Sequence, residues 1–337
     1  MDHFYYLSEL GEVFLPNRTE IDKINSVDNR NLLVLIDSCV CLDIVNFVKY
    51  KKSAQVDKSK IFNLIDYIQK NNVQTTPIFA LAELCYDRRT LVLKEDKLWD
   101  IKNKIDFALR FPIKKLKQFN FDYDKNYQVY SKTKTIKKSI EPLMINLKFY
   151  YAGLLKIREI ASQGLKKEHA EKNIISFIDW MTTDLGILLG LEYCLALEVF
   201  GGNTKFLKMI KLDSTPEKAK KAMWSTSWDL FHARMSCNRS QLDKMVGKKT
   251  HPIFVTKDYD LYKLMAPHVK HSIKFSHTKI NITTENSYPN HFSNSFMEKL
   301  NEKIIKLSID RIEQKLNKDN EKINLIIQNL EEKLSLT

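Results

Sequence analysis

The sequence predicts an α/β fold with a parallel sheet flanked by helices, and three short stretches carry that prediction. Residues 31–36 (NLLVLI) form an apolar run ended by Asp37-Ser38, with the length and flanks of a strand buried on both faces. A second strand is expected over Val73–Thr75 and a third over His251–Val255. Helical patterns from Cys39 to about Lys51 and from Lys60 to Lys70 separate the first two, as a parallel crossover requires.

Thr76-Pro77 then reads as the N-cap and first position of a helix that carries Glu83 and runs to about Thr90. From 91 to 224 the pattern is mostly helical and rich in lysine, including Lys114, Lys115, Lys117, Lys132, Lys134, Lys137 and Lys138. Within it, 179–200 reads as one buried helix closed by Gly201-Gly202. Thr226-Ser227 are expected to cap a helix through Trp228–Arg234, and a further strand is expected near Ser272–Phe275. A last helix is expected from about Ser295 onward. In it Ile309, Ile312, Leu316, Ile323, Ile326 and Leu330 follow an a/d heptad broken by Asp319. Such heptads fit either a coiled coil between two chains or a return onto the body. The expected organisation is a discontinuous α/β domain (1–90 and 225–280), a helical insertion (91–224) and a C-terminal helical arm (295–337).

Composition narrows the class. With 337 residues, 44% of them hydrophobic, the chain fits two domains or one enlarged one and is too apolar for disorder. Apolar runs such as Leu32–Ile36 and Leu185–Leu191 are too short to cross a bilayer, so no membrane partner is expected. No basic segment precedes an apolar stretch at the N-terminus, which points to the cytoplasm. Cys39, Cys41, Cys85, Cys194 and Cys237 are odd in number and lie among apolar residues, as reduced thiols do. Cys39-x-Cys41 lacks the second ligand pair of a structural zinc site. Lys and Arg outnumber Asp and Glu by 54 to 41, a formal charge of +13 that favours a polyanionic partner. An AT-rich genome would also produce such lysine. Neither G-x-G-x-x-G nor G-x-x-x-x-G-K-[ST] occurs, and eight glycines leave few phosphate-cradling loops, which disfavours a nucleotide-cofactor enzyme.

Four local patterns hold the candidate chemistry: LLVLIDS with Asp37, TTPIFALAEL with Glu83, SWDLFHAR with Asp229, and FVTKDYD with Asp258. Singly, each acid has a structural reading. Asp37 and Asp258 suit helix N-caps, Asp229 suits a first helical turn, and Glu83 suits a solvated helix edge. Together they belong at the carboxyl rim of an open sheet, where such folds bind ligands. Carboxylates gathered there repel one another until a cation neutralises them, so Asp37→Asn should leave the metal-free protein as stable or more so. A hard Mg²⁺ or Mn²⁺ suits an all-oxygen site, and such a site beside basic surface suits metal-assisted phosphodiester cleavage.

In this order the motifs resemble the PIN domain family of nucleases: Asp37-Ser38 after a strand, Glu83-Leu84 in a helix, Asp229 four residues before Ala233, and Thr256-x-Asp258 after a strand. The resemblance covers roughly 32–90 and 225–275. It implies a Mg²⁺- or Mn²⁺-dependent nuclease, usually of RNA, with those four acids as metal ligands, Ser38 and Thr256 in support and Asp260 as an additional acid. A toxin, RNA-processing or phage-defence setting, with an inhibitor or partner protein, is consistent with it. The long stretch between Glu83 and Asp229 departs from compact members, and it leaves Asp184 (TTDLGILLG) as an alternative third acid. Two rival functions remain: a PIN-like module that binds nucleic acid or assembles without cutting, and a DNA-directed nuclease.

Other residues have two readings each. His232, three positions after Asp229, fits a structural histidine, and otherwise a phosphate contact or a proton-transfer group. Arg88 and Arg89 fit phosphate contacts or solvated helix-end charges. Trp224 and Trp228 fit base stacking or core contacts.

Overall fold

Five strands form the main sheet of the chain, seen in a computed structural model: β1 (Tyr5–Ser8), β2 (Gly11–Glu12), β3 (Asn31–Ile36), β4 (Gln74–Thr76) and β5 (Thr250–Thr256). The structure describes residues 4–8, 11–50, 58–87, 92–126, 135–265, 270–276, 279–285, 291–312 and 320–336. The spatial order is β2-β1-β5-β3-β4. β3 is parallel to both neighbours, with Val34 opposite Thr75 and Ile253, whereas β1 is antiparallel to β5. The sheet is therefore mixed, with three parallel strands and a short antiparallel edge. β3 is buried from Leu32 to Ile36, as its uninterrupted apolar run requires.

The three expected strands are present within one residue of their predicted bounds, and β1 and β2 are additional. The strand expected near 272–275 also exists, as β6 (Lys270–Ser276), but it pairs antiparallel with β7 (Lys279–Glu285) in a separate ladder. The sequence shows why. Ile273 and Phe275 stand opposite Ile282 and Ile280 on alternating strands, the pattern of a two-stranded ribbon and not of a doubly buried strand.

Helices α1 (Arg18–Ser26), α2 (Ser38–Tyr50), α3 (Lys58–Asn71), α4 (Ile78–Cys85) and α5 (Glu95–Arg110) accompany the main sheet. In α3 the buried residues Ile61, Leu64, Ile65 and Ile68 recur at helical spacing and form one stripe. They join Val34, Ile44, Phe47, Leu98 and Ile105 in one apolar core. The start of α4 lies one residue later than expected. Thr76 ends β4, and its Oγ1 accepts the Ile78 amide at 3.3 Å. The helix also ends earlier, at Cys85, where Tyr86 turns extended and bridges Leu93.

The chain divides into two units, 1–142 with 232–262 and 143–231 with 263–337. The boundary expected at 90/91 falls inside the first unit, because α5 buries Leu98, Ile101 and Ile105 in the core shared with α2 and α3.

The second unit is built mainly of helices: α6 (Thr135–Ser162, entering from the first unit), α7 (Ala170–Trp180), α8 (Gly190–Phe200) and α9 (Pro216–Cys237). The single helix expected over 179–200 is two, interrupted by a π turn at Met181–Leu185 and by Gly186 at φ +77°. α8 does end at Gly201. Thr226 and Ser227 are not caps. They lie inside α9, which Pro216 opens, and donate to the carbonyls of Met209 and Met223. After α9, α10 (Arg239–Val246) and α11 (Tyr259–Met265) flank β5 in sequence, and α12 (Asn294–Ile312) and α13 (Asn320–Lys333) close the chain. The expected terminal arm is thus two described helices, with Leu316 and Asp319 outside the described residues. Ile323 and Leu330 are buried and Tyr151 donates to Glu331, so α13 returns onto its own unit. Among the described residues, no helix is long and apolar enough to cross a membrane.

Candidate metal centre

Three parallel strands deliver acidic residues to one edge of the first unit. Asp37 follows β3 directly, Asp258 lies two residues beyond β5, and Glu83 sits in α4, just after β4. This is the carboxyl rim expected from sequence.

Asp37 is the most constrained of them, at 2% exposure. Its Oδ1 accepts the Ser38 amide at 2.7 Å and faces Nδ1 of His232 at 3.1 Å. Its Oδ2 accepts the Thr256 hydroxyl at 2.6 Å and the Cys39 thiol at 2.9 Å. Thr256 also accepts the Asp258 amide at 2.9 Å, so one hydroxyl fixes both strand ends. Asp258 in turn caps α11, its Oδ1 accepting the amides of Asp260 at 2.7 Å and Leu261 at 3.0 Å. On the other side of His232, Nε2 lies 3.8 Å from Oε2 of Glu83. That oxygen is buried without a hydrogen-bond partner.

These contacts set the charges. Burial drives the Asp37 carboxyl upward, but His232, Cys39 and Thr256 outweigh it and hold the group below the usual carboxylate range. Burial lowers His232, yet the Asp37 bond, the charges of Glu83 and Asp37 and the Phe79 carbonyl leave it raised. Glu83 is raised, first by burial and then by Asp37, against the pull of His232 and the Ser38 hydroxyl. Burial also raises Asp258, helped by the charges of Asp260 and Asp37 and opposed by its two capped amides. Burial and the Asp37 charge push the Cys39 thiol far upward, so it donates as a neutral S–H.

Among the described residues, Asp37, Glu83 and His232 offer ligating atoms within 4.8 Å of one another. The donor set and the unsatisfied Glu83 oxygen fit a divalent cation. The chain matches no protein-family model, no curated protein and no solved structure.

The residues expected from sequence are distributed unevenly. Asp37 and Glu83 come together, and Asp258, Asp260, Ser38 and Thr256 stand around them through the contacts above. Thr256 orients Asp37 as well as the last acid. Asp229 lies outside the clustered group, half-buried in the interior of α9 and not in a first turn, because Pro216 begins that helix earlier. Asp184 also lies outside the group, exposed in the π turn, where Thr183 donates to it at 3.1 Å.

His232 is the member that sequence reasoning left as a structural histidine. The available signal was its place three residues after Asp229, on nearly the same helix face. Trp228 is 2% exposed with its ring edge-on to Phe231, and Trp224 lies edge-on to Tyr151, so both are internal contacts. Lys114, Lys115 and Lys117 are exposed on a short helix of the first unit. Arg88, Arg89, Lys132 and Lys134, and the side chains of Lys137 and Lys138, fall outside what is described.

Proposed function

We propose that this chain is a metal-dependent nuclease of the PIN type that hydrolyses phosphodiester bonds in RNA in the cytoplasm. The observation that carries this reading is the convergence of Asp37, Glu83 and Asp258 on the carboxyl ends of parallel strands, with a buried Glu83 oxygen left unsatisfied. Asp37 and Glu83 would hold Mg²⁺ or Mn²⁺, with Asp258 and Asp260 as the acids nearest in sequence to the end of β5. A bound ion of this class lowers the pKa of an attacking water and stabilises the leaving oxygen. The chain's own part is preorganisation: Thr256 and Ser38 lock Asp37, and the capped α11 holds Asp258. Exposed lysines such as Lys114, Lys115 and Lys117 supply positive charge for phosphate contacts.

One observation favours a second reading, a PIN-like module that binds nucleic acid without cutting. Asp37 already accepts from an amide, an imidazole, a thiol and a hydroxyl, a satisfied network that holds the fold without metal. The test is cleavage of a mixed single-stranded RNA pool and matched DNA with Mn²⁺, Mg²⁺ or EDTA, comparing wild type with Glu83→Gln. Metal-dependent cutting of RNA that the variant loses supports the nuclease, and preferential cutting of DNA moves the substrate. Absence of cutting together with absence of calorimetric metal binding leaves the binding module.

A further inference from the structure

The imidazole between the two carboxylates bears on which ion the centre takes, an inference that rests on the metal-site reading above. We propose that His232 is a nitrogen ligand in a mixed carboxylate–imidazole centre with Asp37 and Glu83, which selects a transition-metal ion over Mg²⁺. The ring presents one nitrogen to each acid, Nδ1 at 3.1 Å from Asp37 and Nε2 at 3.8 Å from Glu83. Two ligand atoms that each sit about 2.1 Å from one ion lie at most about 4.2 Å apart. One ion takes only one of the two ring nitrogens; with one ligand atom from each residue, all within 4.8 Å, the group closes on one ion with shifts of a few tenths of an ångström.

The surroundings hold the ring in place. Phe79 and Phe254 lie with ring centroids 6.3 and 6.1 Å from the imidazole, and His232 is 1% exposed. The ring is therefore fixed before any ion arrives, which is how a ligand shell discriminates by donor type. Imidazole suits the later transition ions such as Co²⁺ and Zn²⁺, and Mn²⁺ accepts it beside carboxylates, whereas Mg²⁺ takes oxygen and keeps several waters that a buried site strips away. Ionised Asp37 and Glu83 then offset the charge of the ion.

The experiment is calorimetric titration of the full chain, stripped with EDTA, with Mn²⁺, Co²⁺ and Mg²⁺ in turn, with electron spin-echo spectroscopy on the bound Mn²⁺. The expected result is Mn²⁺ and Co²⁺ binding on the order of tenfold or more tighter than Mg²⁺, with modulation from a directly coordinated imidazole nitrogen. His232→Asp, which restores an all-oxygen set, should abolish the nitrogen signal and narrow the Mn²⁺/Mg²⁺ ratio. Equal binding of Mn²⁺ and Mg²⁺ without nitrogen modulation overturns the role of His232 and leaves the metal site standing. No binding of any ion overturns both. If circular dichroism shows His232→Asp unfolded, the wild-type nitrogen signal alone decides.

Discussion

Nδ1 of His232 lies 3.1 Å from Oδ1 of Asp37, across 195 positions of sequence, and the two side chains are only 1% and 2% exposed. Their charges support each other, since the Asp37 carboxyl is held low and the imidazole is held high. This changes what Asp37 does for the metal-free fold. Like-charge repulsion led to the expectation that Asp37→Asn would be neutral or stabilising, but the group facing Asp37 is an imidazole whose pKa is held above its ordinary value. We predict that, in EDTA, Asp37→Asn and His232→Gln each cost about 3–5 kcal/mol, because each strands a buried charge. The double variant should lose clearly less than the sum. Urea unfolding of the four proteins measures this, and an Asp37→Asn protein as stable as wild type would show that repulsion from Glu83 dominates.

The opposite end of the sheet offers a control with a pH signature. Asp243, in α10, accepts the Thr250 amide at 2.6 Å and its hydroxyl at 2.8 Å, and pairs with Arg30 at 3.4 Å. Burial raises the Asp243 carboxyl, but these three contacts outweigh it and leave it below 3.8, the ordinary value. A depressed carboxyl contributes stability above its unfolded pKa and loses it as pH falls through the folded one. Asp243→Ala should therefore cost roughly 1–3 kcal/mol near neutrality, and the gap should narrow as pH falls below the ordinary carboxyl value of 3.8. Metal affinity should be unchanged, since Thr250 begins β5 and the acids gather beyond its other end. Denaturant melts from acid to neutral pH test this; a gap that does not vary with pH would contradict the ionic origin.

What could be read from the chain alone follows from the range of the forces involved. Asp37 and Asp258 could be read as lying just beyond strands because β3 and β5 announce themselves through local apolar runs, and Glu83 as lying in a helix because Thr76-Pro77 signals its start. The His232–Asp37 pair left no local trace, since nothing in SWDLFHAR reports a partner so far away in sequence. Asp229 was assigned to a helix start because Thr226-Ser227 have good capping chemistry. Pro216 had already opened the helix, and their hydroxyls found carbonyl acceptors instead. α5 was read as inserted because it follows the strands in sequence, yet its Leu98, Ile101 and Ile105 stripe belongs to the sheet's core. β1 escaped notice because a four-residue strand with two half-buried tyrosines lacks a long alternating pattern.

Thr256 is the joint between the two strand ends, donating to Asp37 and accepting from the Asp258 amide. Thr256→Val keeps the shape and removes both bonds. A hydrogen bond to a buried charge contributes about 1.5–3 kcal/mol, so we expect a loss of that size. Thr256→Ser should recover most of it. Metal affinity should fall with Val and return with Ser, because Asp37 is no longer held. Thermal melts with calorimetric titration test both; metal binding by the Val variant equal to wild type would remove Thr256 from the centre.

Capping, which the contacts show, and the proposed metal ligation by Asp258 can be separated by one pair of substitutions. As a cap, its Oδ1 accepts the amides of Asp260 and Leu261, which Asn also does through its amide oxygen. As a metal ligand it must carry negative charge, which Asn lacks. Burial and the neighbouring charges of Asp260 and Asp37 raise its carboxyl, so neutralising it should relieve strain in the metal-free protein. We predict that Asp258→Asn melts at or above the wild-type temperature in EDTA, whereas Asp258→Ala loses about 1 kcal/mol with the cap. Added Mn²⁺ should raise the melting temperature of wild type more than that of either variant, through linkage. The comparison is a set of melts with and without Mn²⁺. Equal metal-induced shifts in all three proteins would confine Asp258 to capping and leave Asp37, Glu83 and His232 as the clustered ligands among the described residues.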